Sequence, residues 1–165
     1  MFDLRYIEPL YGFEPSIDHI AVGDNAKARD TLLEMGRVLP NSNHLVAIYI
    51  PESTDAAYQP GLKSGRVIGA VRLLPMPKNS AVTDYFYPDI DGSLRWPIGW
   101  PCEAIYAPSI EECVYLRTVI DLLYPPHSFA PYVKRFQTGP FRLERPVAVK
   151  LMEYFSRCNP LRPPL

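Results

Sequence analysis

Strong charge of either sign is missing from this sequence. Its 17 Lys and Arg residues against 18 Asp and Glu leave a net charge of −1, which excludes a protein that holds nucleic acid mainly by displacing counterions. Any nucleic-acid contact must be local and selective. Cysteine is scarce: Cys102, Cys113 and Cys158 are odd in number and form no C-x-x-C pair, so neither a disulfide framework nor a zinc ribbon is written here, and a reducing cytoplasm fits. No apolar run approaches the length of a membrane span, and Asp3 and Glu8 interrupt the stretch where a signal peptide would need an apolar core. The expectation is a soluble, cytoplasmic protein with no membrane partner.

Catalytic patterns are absent as well. His19, His44 and His127 share no ligand spacing, and no H-E-x-x-H, G-x-S-x-G or Walker motif occurs. Glu103 beside Cys102 has no third group to orient an acid and a thiol nucleophile. Asp89 and Asp91 fall in DIDG, which reads as a turn or as a cation loop. These absences lead to the expectation of a non-enzyme with no cofactor and no metal.

What is present suits one folded unit. A chain of 165 residues that is 47% hydrophobic has the size and composition of a single core, expected over residues 1–158 with a Pro-rich tail at 159–165. The 19 prolines are spread along the chain between apolar runs, which points to many turns and short strands.

Residues 4–8 suit a first strand. A helix follows, capped by Asp24 or Asn25, with Ala28, Leu32 and Met35 on its buried stripe and Gly36 as its stop. The run HLVAIYI (44–50) and the run RVIGAVRLLPMP (66–77) are rich in β-branched residues and predict two paired strands. Gly69 marks a bulge or a close backbone approach. CEAIYA (102–107) predicts a further strand, SIEECVYLRTVIDLL (109–123) a helix capped by Ser109, FRLERPVAV a short strand, and residues 147–157 a C-terminal helix.

The densest chemical feature lies within residues 84–101, which contain Tyr85, Phe86, Tyr87, Trp96 and Trp100. Aromatic walls bind planar ligands because each base stacks on a ring with a gain of about 1–3 kcal/mol, although large aromatics also dominate ordinary cores. Lys134, Arg135, Arg142, Arg145 and Lys150 crowd the C-terminal part with Glu144 the only acid among them. Such a patch meets phosphates or is simply solvated surface.

Five segments, taken in order, resemble the EVE family of the PUA-like superfold, relatives of the YTH readers of methylated adenine. They are GDNAKARDTLLEMG (23–36), HLVAIYIPES (44–53), GRVIGAVRL (65–73), YFYPDIDGSLRW (85–96) and FQTGPFRLERPV (136–147). The resemblance implies an α+β fold, a bent mixed β-barrel flanked by helices. It also implies a pocket that accepts a flipped base on an aromatic wall. Carried onto this chain, it makes Asn25 a reader of the base edge, Ser53 a loop contact, and Tyr85, Tyr87 and Trp96 walls. The tryptophan that the family commonly carries before the helix glycine is replaced here by His19, Ile20, Ala21 and Val22, with Trp100 as its candidate substitute. Lys134, Arg135, Arg142 and Arg145 are then the candidate phosphate contacts, and the implied partner is DNA or RNA carrying a modified base.

Two rivals belong to other classes. GRVIGAVRLLPMP with the acidic strand after it is also similar to acyl-transfer folds such as the autoinducer synthases, but IYAPSIEEC lacks the glycine-rich pyrophosphate loop those folds need. A protein-interaction module would instead present an exposed apolar surface in place of a deep pocket.

Overall fold

A computed structural model describes residues 1–11, 13–52 and 61–165. Its centre is a strand that alternates between two cores. In β3 (His44–Tyr49), Leu45, Ala47 and Tyr49 face one apolar cluster while Val46 and Ile48 face another. A strand buried on both faces reads as a continuous apolar run, which is how HLVAIYI reads.

Around β3 the sheet is mixed and curled into a half-barrel. β1 (Asp3–Pro9) runs parallel to β3, and β4 (Arg66–Leu73) is antiparallel to it on the other side. β5 (Ile98–Tyr106) joins β4, and β2 (His19–Val22) joins β5, giving the order β2-β5-β4-β3-β1-β7. The last of these, β7 (Phe141–Arg142), is a two-residue edge strand against β1. β6 (Val114–Tyr115) pairs with the start of β4, beyond the stretch of β4 that β5 covers.

Four α-helices occur among the described residues. α1 (Ala26–Val38) seals one core; Asn25 caps it by accepting the Ala28 N–H at 2.8 Å, and Ala28, Leu32 and Met35 are its buried stripe. α2 (Leu116–Leu123), α3 (Phe129–Val133) and α4 (Arg145–Phe155) cover the opposite face, where Leu116, Ile120, Phe129, Val147 and Leu151 join the cluster of Leu45 and Tyr49.

Several expectations need correction. Gly36 does not stop α1 but lies within it, because the Trp100 indole packs flat where a side chain would stand; a Cβ there would collide with the ring. Residues 109–123 are not one helix. Glu112 accepts from the N–H and the hydroxyl of Ser109, which closes a single 3-10 turn (Ile110–Glu112). The chain is then drawn out by pairing with β4 before α2 begins. FRLERPVAV is a strand for only two residues, since Pro146 in the first turn of α4 suits a helix start. The bulge expected at Gly69 is present near it, as register shifts on both sides of that residue, and a Cβ on Gly69 would press on Phe13.

Residues 159–165 run along the domain. Leu161 donates its N–H to Ile105 O at 2.7 Å, Arg162 pairs with Glu103 at 2.9 Å, and the Leu165 N–H reaches Asn43 Oδ1 at 2.7 Å. Glu103 also pairs with Arg72 at 2.6 Å. That double pairing gives the acid beside Cys102 a structural occupation.

Candidate functional site

Because β1 and β3 are parallel, their carboxyl ends emerge on the same rim of the sheet, the place where ligands gather in sheets with parallel strands. Here that rim is hollow. A cavity of roughly 770 Å³ opens between the end of β1, the β2–α1 junction, the end of β3 and the α3 region. This volume lies inside the ordinary range for small-molecule sites.

Its floor carries an anomaly. Glu8 is only 2% exposed and lines the cavity, and its side chain has no hydrogen bond or ion pair among the described residues; its Oε2 is a fully buried acceptor without a partner. Strand alternation explains the placement. Tyr6 and Glu8 share a face, and while the Tyr6 hydroxyl donates to Glu34 Oε1 at 2.8 Å, Glu8 lies one pleat further on, where the sheet ends and no donor is waiting. Burial pushes its carboxyl well above the ordinary value of 4.5.

Aromatic rings line the cavity. Tyr49, at the end of β3, stacks on Phe136 with ring centres 4.9 Å apart and planes 25° from parallel. Burial, and then the nearby Glu52 charge, push the Tyr49 phenol up to about 12. Trp96 lines the cavity as well, with Tyr11 5.2 Å away and the Arg95 guanidinium 5.0 Å from its ring. Trp96 is held by a closed loop: the Tyr87 N–H donates to Trp96 O at 2.9 Å, and inside that bridge Asp89 accepts from Gly92 while Ser93 N–H reaches Asp91 Oδ1. DIDG is therefore a tight turn, with Gly92 at φ 83°. Arg95 links the turn to the wall through Asp89 at 3.4 Å and the Tyr11 hydroxyl at 3.0 Å.

The α3 side is fitted to α1 by one glycine. Gly139 has φ 93°, and a Cβ there would stand 2.8 Å from that of Ala28, so the turn carrying Phe136 and Gln137 closes onto the start of α1 only with glycine at this point. Lys134 is exposed at the same wall and makes no ion pair among the described residues.

The candidate residues read from the sequence divide sharply. Asn25, Trp96 and Lys134 line the cavity. Asn25 has its carbonyl committed to capping α1, which leaves its amide N–H groups for a ligand. Tyr87 lines a smaller neighbouring hollow of about 410 Å³ that shares Tyr11 and Trp96 as its partition; its ring stacks on His19 at 4.0 Å and its hydroxyl donates to His19 O. Tyr85 packs beside the same histidine at 6.0 Å. Trp100 is away from both hollows, on Gly36 of α1, with its Nε1–H donating to Leu74 O at 2.8 Å.

Of the basic residues, Arg135 is ion-paired to Glu144 and lies 3.8 Å above the Phe141 ring. Arg142 is exposed on β7, and Arg145 borders a shallow hollow between α2 and α4. Ser53 lies outside the described residues. Glu8, Tyr11, Tyr49, Arg95 and Phe136 are site residues that the sequence reading did not select. For Glu8 the available signal was an acid at the end of an apolar alternating run.

A scan against protein-family models finds no match to this chain, and a search of curated proteins finds none either. The functional reading therefore stands on the cavity itself.

Proposed function

We propose that this protein is a reader of a modified nucleic-acid base, which it accepts, turned out of its strand, in the cavity at the carboxyl ends of β1 and β3. The observation that carries the reading is an aromatic-walled hollow with an unpartnered buried carboxyl on its floor. A flat ligand gains about 1–3 kcal/mol from each aromatic face on which it stacks, and the half-buried rings of Trp96 and Phe136 supply such faces, Phe136 backed by the buried Tyr49. A polar edge is then needed to meet Glu8, and a heterocyclic base provides both features in one molecule. At the same wall the exposed Lys134 supplies positive charge for a flanking phosphate. So local a charge suits a protein of net charge −1, whose affinity must come from the base and not from a long phosphate track. The reading agrees with the EVE-like pattern of the sequence.

Trp96→Ala tests it. Trp96 is half-buried at the cavity wall, so the variant remains folded while losing one stacking face. Affinity for an oligonucleotide carrying the recognised base falls by about tenfold, the equivalent of one stacked ring. Undiminished binding by the variant sinks the proposal, as does wild-type protein that binds none of a panel of modified oligonucleotides.

A further inference from the structure

Glu8 is the most demanding group in the cavity, and its surroundings restrict what a ligand must offer. We propose that Glu8 meets the ligand as a neutral carboxylic acid, so that the cavity selects an uncharged flat heterocycle presenting a hydrogen-bond acceptor beside an N–H donor. This inference rests on the base-reader function and specifies the edge that is read.

Geometry supports it first. An ionised carboxylate in this position would be a buried charge without a counter-charge, which is among the least favourable arrangements in a protein interior. The cations in the same wall do not relieve it: Arg95 is directed to Asp89, Tyr11 and the Trp96 ring, and Lys134 is exposed at the rim. Among the described residues, Tyr11, Tyr49 and Glu52 complete the titratable groups of the wall. Glu52 is already paired with Arg117 at 2.8 Å. Burial alone accounts for the upward displacement of the Glu8 carboxyl.

A protonated carboxyl has one O–H donor next to one carbonyl acceptor. Its complement is an amidine edge, with a ring nitrogen beside an exocyclic N–H, or a lactam edge, with a carbonyl beside a ring N–H. An ionised carboxylate, which only accepts, would instead demand two adjacent donors or a cation. The amide side chain of Asn25, also in the cavity wall, adds N–H donors, since its oxygen is held by the Ala28 N–H. Cytosine and adenine present amidine edges that survive methylation at cytosine C5 and single methylation at adenine N6.

The two ionisation states are separated by Glu8→Gln and Glu8→Ala. Glutamine offers one donor and one acceptor in the same positions as the neutral acid, whereas alanine offers neither. Single-stranded oligonucleotides carrying 5-methylcytosine, 5-hydroxymethylcytosine or N6-methyladenine are the probes, titrated against wild-type and variant protein, with thermal unfolding checking that each variant is folded. For whichever probe binds wild type, Glu8→Gln retains affinity within about threefold, and Glu8→Ala loses about tenfold or more, as expected when a buried polar edge is left unmatched. Equal losses in both variants overturn the neutral-acid assignment, and undiminished binding by Glu8→Ala removes Glu8 from recognition. If Trp96→Ala abolishes binding while Glu8→Ala does not, the base-reader function stands and only this inference falls. If no probe binds wild type, both fall together.

Discussion

The protonation of Glu8 has a consequence for folding that needs no ligand. In the unfolded chain the carboxyl titrates near its ordinary value of 4.5, whereas burial raises it well above that in the folded protein. Between those two values the folded state holds a proton that the unfolded state has released. Stability must then fall as pH rises through this interval, by about 1.4 kcal/mol per pH unit for one proton. Below the ordinary value both states are protonated and the contribution vanishes; above the raised value it levels off.

Glutamine at this position cannot ionise, so Glu8→Gln removes the slope. The measurement is urea unfolding of wild type and variant at intervals from about pH 4 to about pH 8, with the difference in unfolding free energy followed across the series. His44, whose value is lowered mainly by burial and then by the nearby Arg5 charge, titrates in both proteins and cancels in the difference. The variant gains on wild type steadily from about pH 4.5 upward. A difference that stays flat, or that favours wild type as pH rises, refutes the placement of Glu8 as a buried acid without a partner.

Two further outcomes separate the site from its scaffold. Trp100→Ala lowers stability by about 2–4 kcal/mol, because it empties the space over Gly36 and leaves Leu74 O without its indole donor; once corrected for the folded fraction, its affinity for a modified oligonucleotide equals that of wild type. Asn25→Ala removes the α1 cap and lowers the unfolding free energy by about 1 kcal/mol. Asn25→Asp retains the cap and most of the stability, yet places a carboxylate in the cavity wall and weakens binding of a neutral base edge.

Local patterns were legible in the sequence and distant ones were not. β3 and β4 announced themselves because both are buried on two faces, and α1 because its cap and its stripe lie within one stretch of chain. Gly36 has the local pattern of a helix stop, but the reason for it is an indole from β5, which no local pattern reveals. Residues 109–123 look helical by composition, but pairing of Val114 and Tyr115 with β4 outweighs that tendency. At the site, the stretch 84–101 reads as one aromatic cluster, yet the fold sends Trp96 to the cavity, Tyr87 to the neighbouring hollow and Trp100 to a helix. In the sequence Glu8 is only an interruption of an apolar segment. That it points inward with nothing to meet it depends on where the sheet ends and on how α3 closes over the rim, which are properties of the assembled fold.

The chain contains two tryptophans, one in the cavity wall and one on α1, so two indole N–H resonances report separately on the site and on the scaffold. The most direct test of the base-reader function is an NMR titration with an oligonucleotide carrying a modified base, each resonance assigned by its own substitution. Saturable movement of the Trp96 resonance, with that of Trp100 unmoved on its bond to Leu74 O, is the predicted result. Binding that leaves Trp96 unperturbed, or that moves the two resonances alike, contradicts it.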